Sequence, residues 1–134
     1  MKKLIFILLF ICCSVQVSFA ENKDVPAFKI GVNRFAWYAA LQVINFMPLS
    51  SADPFSGVII TDWYTLNDHE KYKIDIYILE EALTSKTVDV KVFKQIKKDG
   101  EWENVVPAAS LSHKIEDAIL NTARQLRVEY VINK

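Results

Sequence analysis

The stretch YKIDIYIL, residues 72–79, decides the fold, because apolar and polar side chains alternate along it. One set of alternate positions is apolar: Tyr72, Ile74, Ile76 and Ile78. The other set holds Lys73, Asp75 and Tyr77. A strand with this period is buried on one face and solvated on the other. The stretch therefore predicts an antiparallel sheet with one covered face.

Residues 87–96, TVDVKVFKQI, repeat the alternation and predict a neighbouring strand. Asp99-Gly100 predicts a hairpin turn, after which Glu101–Val106 would form a short fourth strand. Asp62, Asp75 and Asp89 each lie in a predicted strand, and adjacent strands could bring two of them together as a carboxylate pair for acid–base chemistry. Asp75 and Asp89 each lie two residues from a lysine on the same face, and this interleaving favours ion pairs on a solvated sheet surface.

A second helix is predicted after Pro107, with Ser110 or Ser112 as its N-cap. Residues at helical spacing form the stripe that would face the sheet: Leu111, Ile115, Ala118, Ile119, Thr122 and Leu126. Residues 128–132 fit either a continuation of this helix or a further strand.

The stretch SADPFSGVIITDWY, residues 51–64, precedes the sheet pattern and begins in a predicted loop over 50–57. Asp53-Pro54 suits the first two positions of a type I turn, in which the Asp53 carboxylate bonds to the following backbone. Gly57 suits the left-handed conformation that begins the next strand, Val58–Tyr64. Asp53 is therefore interpreted as a turn residue and not as a catalytic acid.

Asp62 lies within that strand, where both faces carry apolar side chains. If Trp63 packs inward, Asp62 is exposed among apolar neighbours. If Trp63 points outward, Asp62 is half-buried and needs a donor, either Arg34 or a backbone N–H. Tertiary packing explains a strand that is covered on both faces, and so would a partner.

The first helix is predicted over residues 34–47, with Asn33 as N-cap and Pro48 as its end. It is apolar almost all round, so it is either clamped between the sheet and a second element or covers a partner. The full order is helix, three or four antiparallel strands, helix. This order predicts a two-layer α+β domain over residues 33–134, with 21–32 as a short N-terminal tail.

The N-terminus has the features of a signal peptide over residues 1–20, cleaved after Ala20. Lys2 and Lys3 precede an apolar core that is too short to span a membrane comfortably. We therefore expect an exported, periplasmic protein. The alternative is a lipid anchor on Cys12 or Cys13, although the residues before Cys12 are large, where lipoprotein processing requires small ones.

Charge and motifs exclude several classes of function. Sixteen basic residues balance sixteen acidic ones, and loss of Lys2 and Lys3 leaves a slightly acidic chain without the basic footprint of a nucleic-acid binder. No serine elbow, phosphate-binding loop or zinc-binding spacing occurs, so no cofactor or metal is expected. His69 and His113 are interpreted as residues of a solvated loop and of a helix first turn.

The longest motif, FMPLSSADPFSGVIITDWY over residues 46–64, resembles a family of small exported Gram-negative proteins defined only as a domain of unknown function. Members of that family often look like lipoproteins. A fainter resemblance is to the repeated domain of BamC, the lipoprotein of the outer-membrane β-barrel assembly machinery. The residues that carry it are Gly57 to Trp63, GVIITDW, after a Trp-containing helix. This second resemblance implies a helix-grip fold, in which an antiparallel sheet curls around a long helix.

These observations predict a non-enzymatic interaction module of the cell envelope, in outer-membrane assembly or maintenance. Its partner would be an envelope protein or a second copy, with outer-membrane association and no nucleic acid. The residues proposed for the fold signature and the interaction surface are Trp37, Asp53, Pro54, Phe55, Gly57, Thr61, Asp62, Trp63 and Tyr64.

Two other functions are considered. The first is binding of a small apolar ligand between sheet and helix, in a cavity that would be lined by five aromatic residues: Trp37, Tyr38, Trp63, Tyr77 and Trp102. The second is a hydrolase that uses Asp62 with His69 or His113.

Overall fold

A computed structural model describes residues 31–134. The predicted signal peptide, both cysteines and residues 21–30 of the predicted tail lie outside the described residues. Within 31–134 the chain forms these helices and strands in order: α1 (Arg34–Val43), β1 (Leu49–Asp53), β2 (Val58–Thr61), β3 (Tyr64–Asn67), β4 (Glu70–Ile78), β5 (Val88–Lys98), β6 (Glu101–Val105) and α2 (Ala109–Ile132).

The strands form one antiparallel sheet in the order β1-β2-β4-β5-β6, and β3 also pairs with β4. β2 and β3 are two halves of a single strand position beside β4. β2 pairs Val58 with Tyr77, whereas β3 pairs Tyr64 with Tyr72. The register therefore shifts by one residue at Asp62-Trp63, where the chain leaves the ladder in the manner of a β-bulge.

The hydrophobic core lies between one face of the sheet, here called the inner face, and the two helices. The sheet contributes mainly isoleucine and valine side chains: Ile59, Ile74, Ile76, Ile78, Val88 and Val90. The helices contribute Ala36, Trp37, Ala39, Ala40, Ile119, Leu120 and Ala123. The alanines of α1 are fully buried, which lets α1 pack closely against both the sheet and α2. The apolar first helix is therefore clamped by its own domain, one of the two alternatives above.

The α+β class and the alternating faces of β4 and β5 are confirmed. The Asp99-Gly100 hairpin is confirmed as well: Asp99 has φ 50° and Gly100 has φ 86°, the left-handed values that a type I′ turn requires. No helix within residues 31–134 is long and apolar enough to cross a membrane.

The prediction of three or four strands is wrong, because the sheet formed within residues 31–134 has six. β1 overlaps the predicted loop over 50–57, and its residues, LSSAD, are all exposed. It joins the sheet through its backbone alone, so its side chains carry no burial period that the sequence could show. The predicted strand over 58–64 is interrupted at Asp62-Trp63 and continues as β3.

Both helices also differ from prediction at their ends. α1 ends at Val43 instead of residue 47, and a turn over residues 44–47 leads to Pro48. The N-cap of α2 is Ala108 and not Ser110 or Ser112; its side chain supplies no cap hydrogen bond. Ser112 instead donates its hydroxyl to the Ala109 carbonyl within the first turn. Residues 128–132 continue α2, which resolves the alternative left open by the sequence.

Candidate functional site

The Asp53 turn has the predicted structural role. The Asp53 side chain accepts hydrogen bonds from the Phe55 N–H at 3.0 Å and the Ser56 hydroxyl at 2.7 Å. Both bonds favour the carboxylate, the Ser56 bond most, and they hold the pKa of Asp53 below its ordinary value. The turn closes with the Gly57 N–H on the Asp53 carbonyl at 2.9 Å, so the closed turn is one residue longer than the predicted four-residue type I turn. Pro54 occupies the second turn position and is half-buried.

Gly57 joins this turn to the sheet. Its φ is 72°, as predicted, and its carbonyl accepts the Ile78 N–H at 2.8 Å. A Cβ at this position would lie 2.6 Å from the Ile78 carbonyl oxygen and 2.6 Å from Val32 Cγ1. Only glycine fits both the backbone conformation and the space.

The break between β2 and β3 places three of the predicted motif residues in different environments. Thr61 is fully buried, and its Oγ1 accepts the Ile74 N–H at 2.8 Å. Asp62 is exposed; its Oδ1 accepts the Trp63 N–H at 2.7 Å, and its own N–H donates to the Pro48 carbonyl at 2.8 Å. Trp63 points away from the core, toward the other face of the sheet, here called the outer face.

The expectation that an outward Trp63 leaves Asp62 half-buried is wrong. The break exposes the side chain, and a backbone N–H satisfies it. Arg34, the alternative donor, lies elsewhere: its guanidinium carbon is 4.8 Å from the Phe35 ring centre and 4.2 Å from that of Tyr130. The guanidinium also donates to the Tyr130 hydroxyl and lowers the pKa of Tyr130.

The inner face is uncovered at one end, beyond the contact between α1 and α2, and forms an apolar cleft of about 330 Å³. Its lining residues come from the α1–β1 turn, β3, β4, β5 and the first turns of α2: Phe46, Met47, Tyr64, Leu66, Tyr72, Ile74, Val92, Leu111 and Ile115. Phe46 is 58% exposed and Leu66 is 57% exposed. The Phe46 and Tyr64 rings meet edge to face, with centres 5.2 Å apart.

This cleft is not lined by the five aromatic residues predicted for a ligand cavity. Trp37 is buried in the core, and Tyr38 is exposed on α1. Trp63, Tyr77 and Trp102 lie on the outer face. Of the nine residues proposed for the fold signature and the interaction surface, Tyr64 alone lines the cleft. Phe46 lies in the turn after α1, and Leu66 lies in the four-residue strand β3, so neither belongs to a segment long enough to show a burial period. The available signal for Phe46 was its place in the motif over residues 46–64.

The acidic side chains of the outer face differ from each other in burial. Asp89 pairs with Lys91 at 3.1 Å and is partly exposed, as the interleaved charges predict. Asp75 is only 9% exposed, and its Oδ1 accepts no hydrogen bond from the residues that the structure describes; the Lys73 Nζ lies 3.8 Å away. The prediction of a solvated surface is therefore wrong for Asp75, which the central position of β4 shields.

Neither histidine is joined to Asp62 by a hydrogen bond or ion pair within residues 31–134. His69 lies in the β3–β4 turn, where its N–H donates to the Asn67 side chain and its carbonyl accepts from the Lys97 N–H. His113 Nδ1 lies 3.0 Å from Glu116 Oε2. In the described part of the chain no three His, Cys, Asp or Glu side chains are grouped so as to hold a metal ion.

The outer face carries a second group of side chains at the same end of the sheet. Lys71 Nζ lies 5.1 Å from the Trp63 ring centre and 4.5 Å from the Trp102 ring centre. Lys97 Nζ lies 5.8 Å from the Trp102 ring centre. Trp63, Lys71, Lys97 and Trp102 are here called the tryptophan platform.

The fold and the cleft define a small two-layer α+β domain with an open antiparallel sheet. Residues 30–128 match a domain of unknown function, DUF3576, and the chain belongs to this family. The chain is similar to the uncharacterized protein RP420 of Rickettsia prowazekii (strain Madrid E), with 35% identity over 113 residues. The match covers 83% of this chain and 68% of that protein. Membership of a domain family of unknown function is therefore confirmed.

Proposed function

We propose that this protein is a non-enzymatic binding module of the bacterial cell envelope, and that the apolar cleft holds an apolar side chain of an envelope protein. The composition of the cleft carries this proposal: all nine lining residues are apolar or aromatic. Phe46 and Leu66 remain more than half exposed at its rim. Exposed apolar side chains around a concave surface are typical of a place where another apolar group binds.

The envelope location is supported by the N-terminal sequence and by resemblance. Lys2 and Lys3, the apolar core after them and the small residues Ser18 and Ala20 are the parts of a secretory signal peptide. The helix–sheet–helix order is also that of the helix-grip domain of BamC, which supports a place in outer-membrane assembly or maintenance by analogy. In this proposal the mature protein is periplasmic, or anchored through Cys12 or Cys13, and associates with the outer membrane.

The non-enzymatic part of the proposal is supported by the roles of the motif carboxylates. Asp53 accepts hydrogen bonds from Phe55 and Ser56, and Asp62 accepts one from Trp63. The Asp53 carboxylate thus stabilises the backbone of its turn, and the Asp62 carboxylate stabilises the backbone at the break between β2 and β3. A general acid or base instead needs to reach a substrate proton within hydrogen-bond distance.

Crosslinking in living cells followed by affinity capture tests the proposal. Leu66→Ser removes an apolar rim side chain that is already 57% exposed, so the fold should tolerate it. Leu79→Ser is the matched control, because Leu79 is 62% exposed and lies outside the cleft. We expect wild type and Leu79→Ser to recover the same envelope protein and Leu66→Ser to lose it. Equal recovery by both variants, or no envelope protein above background, would contradict the proposal.

A second candidate is binding of a small apolar ligand in the same cleft. The volume of about 330 Å³ favours it, since it reaches the lower end of the range of small-molecule sites, about 300–1,000 Å³. Native mass spectrometry of the protein purified without detergent would then show an added mass. The adduct should persist in Leu79→Ser and diminish in Leu66→Ser. A bare protein mass in all three samples would remove this candidate.

A further inference from the structure

The tryptophan platform lies on the outer face, on the opposite side of the sheet from the apolar cleft. The pairing of Lys71 with Gln95 and of Lys97 with Trp102 puts these four side chains on one face, because directly paired residues project to the same side. Trp63 reaches this face from the β2–β3 break. Trp63 and Trp102 are both partly exposed, and Lys71 Nζ lies near both rings. Their ring centres are therefore less than about 10 Å apart.

The platform carries positive charge that forms no ion pair with an acidic side chain of the described residues, 31–134. Lys73 and Lys91, farther along the outer face, each have an aspartate within 4 Å. Lys71 and Lys97 form no ion pair within residues 31–134, and the Nζ atom of each lies within 6 Å of an indole ring centre. A cation over an aromatic face keeps its full charge and can still pair with an anion from solvent. Two free ammonium groups beside two indoles thus form a surface complementary to an anionic ligand.

Two amide side chains extend the platform between its lysines and β6. Gln95 Nε2 donates to Asn104 Oδ1 at 2.7 Å, and these residues are paired across β5 and β6. This bond leaves the Gln95 Oε1 as an acceptor and the Asn104 Nδ2 as a donor, with no partner in the described part of the chain. The outer face thus combines flat aromatic surface, free cations and neutral hydrogen-bonding groups within one region.

We propose that the tryptophan platform binds a carboxylate-bearing glycan of the cell envelope. The apolar C–H faces of sugar rings pack on Trp63 and Trp102. Lys71 and Lys97 pair with the carboxylates, and the Gln95 and Asn104 amides bond to hydroxyl or acetamido groups. This inference rests on the proposed envelope location, and it does not depend on the apolar cleft.

Single-stranded nucleic acid is the other ligand that stacks on aromatic side chains beside lysines. The charge of the whole chain favours the glycan, because sixteen basic residues are balanced by sixteen acidic ones. A nucleic-acid surface instead needs a basic stripe that follows several phosphates. The platform has two free ammonium groups, which suits a ligand with sparse charges.

Isothermal titration with soluble muropeptides tests the proposal, with a neutral N-acetylglucosamine oligosaccharide and a single-stranded DNA oligonucleotide as comparison ligands. We expect saturable muropeptide binding that weakens with added salt, and binding of the neutral oligosaccharide at least about fivefold weaker. Equal affinity for the neutral sugar, tighter binding of the oligonucleotide, or no saturable muropeptide binding would each overturn the proposal.

Substitutions on the outer face test whether muropeptides bind at the tryptophan platform. Trp102→Ala and Lys71→Gln should each weaken muropeptide binding at least about fivefold, and Lys71→Arg should retain it. Lys91→Gln is the matched control, because Lys91 lies on the same face but pairs with Asp89. Lys71 is partly exposed and lies outside the hydrophobic core, so Lys71→Gln keeps the test valid if Trp102→Ala fails to fold.

The cleft variant Leu66→Ser should bind muropeptides like wild type, so failure of this proposal is separable from failure of the cleft proposal. Unchanged affinity in Lys71→Gln, or equal loss in Lys91→Gln, would overturn the platform assignment.

Discussion

The hydroxyl of Thr61 replaces a backbone acceptor for Ile74: its Oγ1 accepts the Ile74 N–H at 2.8 Å, and Thr61 is fully buried. The bond lies where β2 ends and the chain leaves the ladder at Asp62-Trp63. Without it, the central strand β4 would carry a buried N–H that has lost its partner strand. A threonine at this position therefore lets the neighbouring strand break while β4 remains continuous.

Replacement of Thr61 by valine should destabilise the protein by about 1–3 kcal/mol, because the shape is kept while the Ile74 N–H loses its acceptor. Chemical denaturation measures the free energy of unfolding. Thr61→Ser is the control, since it keeps the hydroxyl and loses only a methyl group, at a cost of about 1 kcal/mol. Amide hydrogen exchange at Ile74 should accelerate in Thr61→Val alone; equal exchange in both variants would contradict this role.

Substitutions at Gly57 and Gly100 separate two costs to stability: that of a side chain in the left-handed conformation and that of steric overlap. Both have positive φ, but a Cβ at Gly57 would lie 2.6 Å from the Ile78 carbonyl oxygen, whereas a Cβ at Gly100 meets nothing within 4 Å. Gly100→Ala should therefore cost about 1–2 kcal/mol, the price of the left-handed conformation alone. Gly57→Ala should cost about 2–5 kcal/mol, because overpacking is added to strain.

Thermal unfolding of the two glycine variants under identical conditions measures this difference. If Gly57→Ala is no less stable than Gly100→Ala, then the close approach of Gly57 to the end of β4 adds no steric cost to that of the left-handed conformation.

The parts of the fold that the sequence predicts are those in which burial repeats along one element. Alternation at Ile74, Ile76 and Ile78 places β4 correctly, and Asp99-Gly100 places the β5–β6 hairpin. β1 has no such period, since all its side chains are exposed. The register shift at Asp62-Trp63 is also invisible locally, because it depends on which residues of β4 lie opposite.

The candidate sites are less predictable than the fold, because they are assembled from residues far apart in the chain. The cleft joins Phe46 after α1, Leu66 in β3 and Leu111 in α2, and no local pattern connects these positions. The platform likewise joins Trp63 to Trp102 through Lys71. The sequence identifies Trp63 as unusual, but only the pairing of the strands shows that it meets a second indole.

Glu116 connects α2 to the part of β5 that β6 does not cover. Its Oε1 accepts the Val90 N–H at 3.0 Å, and its Oε2 lies 3.0 Å from His113 Nδ1. β6 pairs only with residues 94–98 of β5, so no strand within residues 31–134 pairs with the Val90 N–H on that side. Glu116→Ala should destabilise the protein by about 1–3 kcal/mol, because it leaves this partly buried N–H without an acceptor.

Two control variants separate the contacts of Glu116. Glu116→Gln keeps an acceptor oxygen and should cost clearly less than Glu116→Ala in chemical denaturation. His113→Ala removes only the exposed contact and should change the free energy of unfolding by less than about 0.5 kcal/mol. A larger loss from His113→Ala than from Glu116→Ala would show that the strand contact is not the important one.

The Asp53 turn should contribute to stability in a pH-dependent way. The Ser56 hydroxyl and the Phe55 N–H hold the folded-state pKa of Asp53 below its ordinary value of 3.8. The charged carboxylate therefore stabilises the fold above about pH 3.8, and this contribution is lost as the pH falls through the lower folded-state pKa. Asp53→Asn should lower the melting temperature at pH 7, and the difference from wild type should shrink in strongly acidic buffer. Ser56→Ala, which removes the largest cause of the shift, should show a smaller difference of the same sign.

Asp68→Asn is the control, since the Asp68 carboxylate is exposed and accepts no hydrogen bond within residues 31–134. A melting-temperature difference for Asp53→Asn that is constant from pH 7 to pH 2.5 would mean that the turn does not depend on the charge of Asp53.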